Sequence, residues 1–380
     1  MAEPATVYLD YAAATPVDPG VLEVMRPYLT DSFYNPSATY SAALEVKKAV
    51  SAARSKVAHW LGARSNEIIF TAGGTEANNL AIHGVMRQFP EGNMVVSALE
   101  HESVLAPARN YEYREVSVQP DGRLDINDLR RKIDDKTVLV SVMYANNEIG
   151  TIQPIREVAK LITEIRRQRG PEARPLYLHT DACQAANYLD LHVARLGVDM
   201  MTINGGKIYG PKQSGALYAK AGVKLDPLIE GGGQERGLRS GTENVASIIG
   251  LATALDLAQS NRHQEGERLR ILQSNFFDLI ESQIPAARIN GSKKYRLPNN
   301  VHLTIPDSDN ERLLIQLDEA GIMAAAGSAC SASAEESSHV LHAIGLSDAE
   351  ARASLRLTMG RGTTEDEIRH CSKVLSEVSS

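Results

Sequence analysis

The chain has 380 residues with 43% hydrophobic and 23% charged side chains, the make-up of a globular protein with a full core and not of a disordered or collagen-like chain. Forty lysines and arginines against 47 aspartates and glutamates give a net charge of −7, and aromatics are only 5%, which argues against direct binding of nucleic acid, whether held by a basic field or by base stacking. No apolar run nears the ~20 residues that cross a bilayer, the amino terminus lacks the segments of a secretory signal, and the scattered Cys183, Cys330 and Cys371 fit a reducing, cytoplasmic setting.

From residue 37 onward, strand-like and helix-like stretches alternate. Over 37–62, Val46, Ala49, Val50, Ala53, Val57 and Leu61 fall on one helical stripe that Gly62 stops. The apolar run 68–70 predicts a strand, Gly73-Gly74 a turn, and Thr75 the start of a helix through Val85. Further strands are predicted at 94–97, 138–144, 176–180, 200–203 and 215–218, separated mostly by amphipathic segments such as 155–167. This alternation predicts an α/β fold with a mostly parallel sheet covered on both faces. From residue 246 the texture changes to a long charged helix reaching 284, one strand at 301–305, a helix at 311–319 and a last helix opened by the capping box Thr364-x-x-Glu367. The tail is expected to form a smaller α+β domain packed tightly on the first.

Ligands of open α/β sheets bind beyond the carboxyl ends of the strands, and the residues there are polar. They are Gly73-Gly74-Thr75-Glu76, Glu100-His101-Glu102, Asn146-Asn147-Glu148, Asp181-Ala182-Cys183-Gln184 and Asn204-Gly205-Gly206-Lys207. Nucleotide motifs fail on spacing: Gly210 is followed by Pro211 and not by the lysine of a phosphate loop, and Arg236 stands where G-x-G-x-x-G needs its third glycine. No zinc spacing is present and no metal is implied. A lysine, a carboxylate and a glycine-led helix start remain, the set required by an aldehyde cofactor with a phosphate tail. Lys207 after a strand suits covalent attachment, Asp181 could favour a protonated pyridine, and the amides after Gly73 sit where a helix start attracts phosphate.

With these residues the sequence resembles the pyridoxal-phosphate-dependent cysteine desulfurases of the NifS/IscS type, in the class V aminotransferase superfamily of fold-type I. The resemblance runs from Leu9-Asp10-Tyr11-Ala12 to Arg361-Gly362-Thr363-Thr364. Its most specific motifs are Asn146-Asn147-Glu148-Ile149-Gly150, Lys207-Ile208-Tyr209-Gly210-Pro211-Lys212, Arg239-Ser240-Gly241-Thr242 and Gly327-Ser328-Ala329-Cys330-Ser331-Ala332-Ser333. It implies a large cofactor-binding domain over 14–256 and a small domain from 1–13 and 257–380 that carries a mobile cysteine loop at about 324–334. It also implies that pyridoxal 5'-phosphate is held by Lys207, with Asp181 on the pyridine nitrogen, Gln184 on the phenolic oxygen and His101 on the ring assisting acid–base steps. Gly74, Thr75 and Asn204 fall at the phosphate, and Thr242 where a neighbouring subunit of a homodimer completes the cup. Asn147 and Arg356 match the groups that hold the carboxylate of L-cysteine. Cys330 matches the nucleophile that takes its sulfur as a persulfide, and its setting resembles the group I, iron–sulfur branch.

Two departures stand out. The usual Ser-x-His-Lys reads Asn204-Gly205-Gly206-Lys207, which predicts weaker cofactor retention with the chemistry kept. The chain stops at Ser380 where iron–sulfur members continue, which leaves the acceptor protein open among an iron–sulfur scaffold, a tRNA-thiolation relay and a DNA-phosphorothioation system. The rivals are a selenocysteine lyase or another class V enzyme, and a silent scaffold that keeps the fold only to bind partners. Cys183 and Cys371 are expected to pack as small hydrophobes, and His83, His179 and His192 to be structural or surface residues.

Overall fold

The structure, a computed structural model, describes residues 6–327 and 337–379. Its strands are β1 (Val7–Tyr8), β2 (Ile68–Thr71), β3 (Asn93–Ser97), β4 (Tyr113–Val116), β5 (Thr137–Ser141), β6 (Tyr177–Asp181), β7 (Met200–Asn204), β8 (Gly215–Ala219), β9 (Arg288–Ile289), β10 (Asn300–Thr304), β11 (Ile322–Met323) and β12 (Ser354–Thr358). Seven of them form one sheet in the order β2-β8-β7-β6-β5-β3-β4. All pairings from β7 to β4 are parallel, whereas β8 runs antiparallel to both its neighbours. The carboxyl ends of β2, β3, β5, β6 and β7 therefore share one edge.

The helices form where apolar spacing puts one face on this sheet. Ser41–Leu61 buries Ala43, Val46, Val50, Ala53, Val57 and Leu61, positions three or four apart that make one stripe. Gly62 ends it at φ 62°, and a side chain there would also strike the His192 ring. On the opposite face Gly74–Gln88 buries Ala77, Leu80, Ala81 and Val85.

The 39-residue helix Val245–Gln283 joins two cores. Its first half packs Ile248, Leu251 and Leu255 into the sheet core. Its second half packs Leu269, Leu272, Phe276 and Ile280 among Leu303, Leu313, Leu355 and Leu375. This second core carries more sheet than the single strand expected at 301–305. There β10 is flanked by β9 and β12, both antiparallel. The amino terminus joins it as well, since β1 pairs in parallel with β11 and Ala12 N–H donates to Thr358 Oγ1 at 2.9 Å. That crossing carries the 10–14 segment over the open edge of the large sheet. Among the described residues no helix is long and apolar enough to cross a membrane.

Candidate active site

A cavity of about 120 Å³ lies at the carboxyl edge of the large sheet. Its wall takes Gly74 and Thr75 after β2, His101 after β3, Asn147 after β5, Asp181, Cys183 and Gln184 at the end of β6, and Asn204 and Lys207 after β7. Arg356 from β12 closes it from the small lobe. It continues into an open recess of about 580 Å³ that shares Ala13, Gly74, Thr75, Asn204 and Lys207 and adds Gly206 and Lys212. Nine of the eleven predicted site residues line the cavity, all but Thr242 and Cys330. Thr242 is exposed in the loop before the long helix, and Cys330 lies outside the described residues.

Lys207 stands in a single turn of 3-10 helix directly after β7, and its Nζ donates to the carbonyls of Ala12 at 2.9 Å and Ala13 at 2.6 Å. Gln184 Nε2 donates to the same Ala12 carbonyl at 3.0 Å. Asp181 is buried at the end of β6, where Oδ1 accepts from Cys183 N–H at 2.9 Å and Oδ2 from Asn78 Nδ2 at 2.7 Å. His101 caps the helix Glu102–Ala108, its Nδ1 accepting from Ser103 N–H at 3.0 Å. Burial holds this imidazole below its ordinary range, and Lys207 pushes the same way against the carboxylates of Asp181, Glu102 and Glu148.

The end of the cavity near β2 is shaped by small residues. A side chain at Gly74 would come within 2.7 Å of Cys183 Sγ, and one at Gly215 within 2.6 Å of the Gly73 backbone, so the chain can pass close to a ligand only with glycine there. Gly74 opens the 15-residue helix Gly74–Gln88, whose first amides have no intrahelical partner. Asn204 Oδ1 is taken up by Gly206 N–H at 3.0 Å, which leaves its amide nitrogen toward the recess. A glycine-lined helix start, an amide, a lysine and a carboxylate sit at separate points of one cavity. This donor set fits a phosphorylated pyridine aldehyde.

The opposite side of the cavity is tied to the second core. Arg356 is almost fully buried, and its guanidinium donates to Asp10 Oδ1 at 2.7 Å and to the Asn147 carbonyl at 3.2 Å, while Nε has no partner among the described residues. Glu148 is buried and accepts from Ser338 Oγ at 2.5 Å, and a side chain on Gly327 would lie 3.3 Å from its Oε2. Gly327 and Ser338 therefore both lie against one carboxylate.

Sequence reasoning did not find Asn78, Ser103, Met143 or the Ala12 and Ala13 carbonyls, all of which belong to the wall or its bonding. Cys183, expected as a packing residue, lines the cavity, with its thiol pushed well above the usual range by burial and by Asp181. Cys371 is buried in the second core. His179, buried between Ser141 and Thr202 hydroxyls, and His83, bonded to Tyr111, line neither space.

The aminotransferase class-V family model matches residues 7–370. The cysteine desulfurase IscS of Clostridium botulinum (strain Hall) is 42% identical over 98% of this chain and 94% of its own length. A solved NifS-like protein superposes with a TM-score of 0.90 at 30% identity, covering 98% of this chain and 99% of that one. A structure described as SspA in complex with cysteine gives a TM-score of 0.81 at 35% identity, covering 93% of this chain and 99% of that one. The chain belongs to the class V aminotransferase family and, within it, to the cysteine desulfurases of the IscS and NifS type.

Proposed function

We propose that the protein is a pyridoxal-phosphate-dependent cysteine desulfurase that converts L-cysteine to L-alanine and passes the sulfur, as a persulfide on Cys330, to an acceptor protein. The observation that carries this reading is the meeting of Lys207, Asp181 and His101 with Asn147 and Arg356 in one cavity. The bound cofactor supplies an electron sink for the carbon next to the amino group. Lys207 would hold it covalently, and its free amine, in the cavity wall, would serve as the base that moves the α-proton. Asp181 would pair with the pyridine nitrogen and Gln184 with the phenolic oxygen, and Gly74, Thr75 and Asn204 would hold the phosphate.

Arg356 and Asn147 orient the substrate carboxylate, the planar guanidinium being suited to two parallel hydrogen bonds. The Cys330 thiolate attacks the substrate sulfur, so that an S–S bond forms as the C–S bond breaks, and the bonding electrons pass to carbon, which is protonated to give L-alanine. Atoms balance as one cysteine and one thiol in, one alanine and one persulfide out. The lobes are assigned to 14–256 and to 1–13 with 257–380, the setting to the cytoplasm, and the assembly to a homodimer in which exposed Thr242 serves the neighbouring phosphate site. The exposed apolar side chains Leu22, Leu29, Phe33, Tyr40 and Leu44 support such an interface.

Reconstitution with pyridoxal phosphate should give a yellow protein that borohydride fixes covalently at Lys207, and that releases alanine from L-cysteine. A colourless protein, or an adduct at another lysine, contradicts the reading.

A further inference from the structure

The hydrogen bonds around His101 leave its ring only one neutral form. A neutral imidazole carries its proton on one nitrogen and accepts at the other. Nδ1 lies 3.0 Å from the backbone N–H of Ser103, which can only donate, so Nδ1 accepts. The Ser103 hydroxyl is also 2.8 Å from Nδ1. Its own oxygen accepts from Asn78 Nδ2 at 2.8 Å, which leaves the hydroxyl proton for the ring. The orientation of Asn78 is fixed in turn, since the same amide nitrogen donates to the acceptor-only carboxylate of Asp181 at 2.7 Å. The Asn78 carbonyl oxygen is buried and has no partner among the described residues, so the amide is held by its nitrogen alone. Along the links from Asp181 through the Asn78 nitrogen and Ser103 to Nδ1, each donor meets an acceptor only when the ring proton sits on Nε2.

We propose that His101 acts in this reaction as a neutral Nε2–H hydrogen-bond donor toward the cavity and not as its proton-abstracting base, with Ser103 and Asn78 as the positioning residues that lock this tautomer. This rests on the desulfurase reading above. Two alternatives are closed by the same bonds. A lone pair on Nε2 requires a proton on Nδ1, which then faces the Ser103 N–H donor to donor. An imidazolium meets the same conflict, and burial disfavours it further. Of the charges that face the ring, Asp181, Glu102 and Glu148 favour protonation and Lys207 opposes it. The α-proton is therefore left to Lys207, and His101 polarises or orients the bound group without exchanging a proton.

The test is nitrogen NMR of histidine-labelled protein, before and after loading with pyridoxal phosphate, with His101→Gln identifying the His101 signals. The expected spectrum shows a bare Nδ1 and a protonated Nε2 at neutral pH. Ser103→Ala, which removes one of the two donors to Nδ1, should raise the midpoint of His101 protonation by roughly 0.4–1 pH unit, the worth of one neutral hydrogen bond. In turnover, His101→Gln, which keeps a side-chain N–H but cannot titrate, should exceed His101→Phe. A proton on Nδ1, an imidazolium at neutral pH in the unaltered protein, or equal loss in the two His101 variants overturns the proposal. The ring spectrum reads the same whether or not L-cysteine is turned over, so a failure of the desulfurase reading shows up separately.

Discussion

The two walls of the cavity are held by different means. On the sheet side, Asp181, Asn78, Ser103 and His101 form a continuous chain of hydrogen bonds of 2.7–3.0 Å hung from strands buried on both faces. On the small-lobe side each link is a single side chain reaching between segments: Arg356 to Asp10, Ser338 to Glu148, and His339 Nε2 to the Glu100 carbonyl at 3.0 Å. The sheet wall inherits its geometry from strand register, so the loss of one bond leaves the others in place. The small-lobe wall depends on individual charges. Substitutions there should cost more and should separate cofactor binding from sulfur transfer.

The largest effect is expected at Asp10→Asn. It leaves the buried Arg356 guanidinium without its carboxylate, and breaking such a pair costs about 3 kcal/mol, the low end of the usual range because Asp10 keeps some contact with water. Denaturant unfolding of the loaded protein should show that loss together with a raised KM for L-cysteine. An unchanged midpoint breaks the contrast between the walls.

Next in size is Glu148→Gln, which weakens a charged hydrogen bond to Ser338 and neutralises the carboxylate beside Gly327. Persulfide formation on Cys330 should slow by about tenfold, in line with 1.5 kcal/mol for such a bond, with pyridoxal phosphate affinity unaltered. Equal losses in both would place Glu148 in the cofactor wall instead.

Glu100 sharpens the comparison through pH, because it sits at the seam. It is fully buried, Oε1 accepts from Met143 N–H at 2.6 Å and Oε2 has no partner among the described residues. Burial first, and Asp181 second, raise its carboxyl well above the usual range. The folded protein therefore holds a proton that the unfolded chain releases, and stability falls as pH rises from the unfolded value of about 4.3 to the folded one. Glu100→Gln, neutral throughout, should raise the thermal midpoint above that window and leave it unchanged below it. A midpoint lowered at alkaline pH tells against a strained carboxylate.

The smallest effect is expected at Gly206. A Cβ there would stand 3.5 Å from Asn204 Oδ1 and 3.7 Å from the nearest Lys212 atoms, so a side chain fits. Gly206→His should tighten pyridoxal phosphate roughly 2- to 10-fold, one added hydrogen bond. No change in a titration would mean that Lys212, which lines the same recess and donates to the Thr15 carbonyl at 2.8 Å, already serves that position.

The sheet wall was also the more legible of the two. Runs such as 94–96 and 138–140 are continuous apolar stretches, and they fall within β3 and β5, so the loops after them could be named before any coordinates. The edge strand β4 escaped because Tyr-Arg-Glu-Val is half exposed and reads as polar. So did β12, whose central arginine disguises a strand buried along its whole length. The two-residue strands β1 and β11 are too short to show a period. Asn78 and Ser103 look like surface polar residues near the starts of their helices. Only the packing of Gly74–Gln88 across β6 turns them toward Asp181 and His101, a long-range fact that spacing does not encode.

The most direct measurement is the mass of the Cys330 peptide after the loaded protein meets L-cysteine, alongside Lys207→Ala. The account predicts a peptide heavier by one sulfur and labile to reductant, with an equivalent of alanine released, and neither in the variant. Alanine formed without sulfur on Cys330, or the persulfide formed equally in Lys207→Ala, contradicts it.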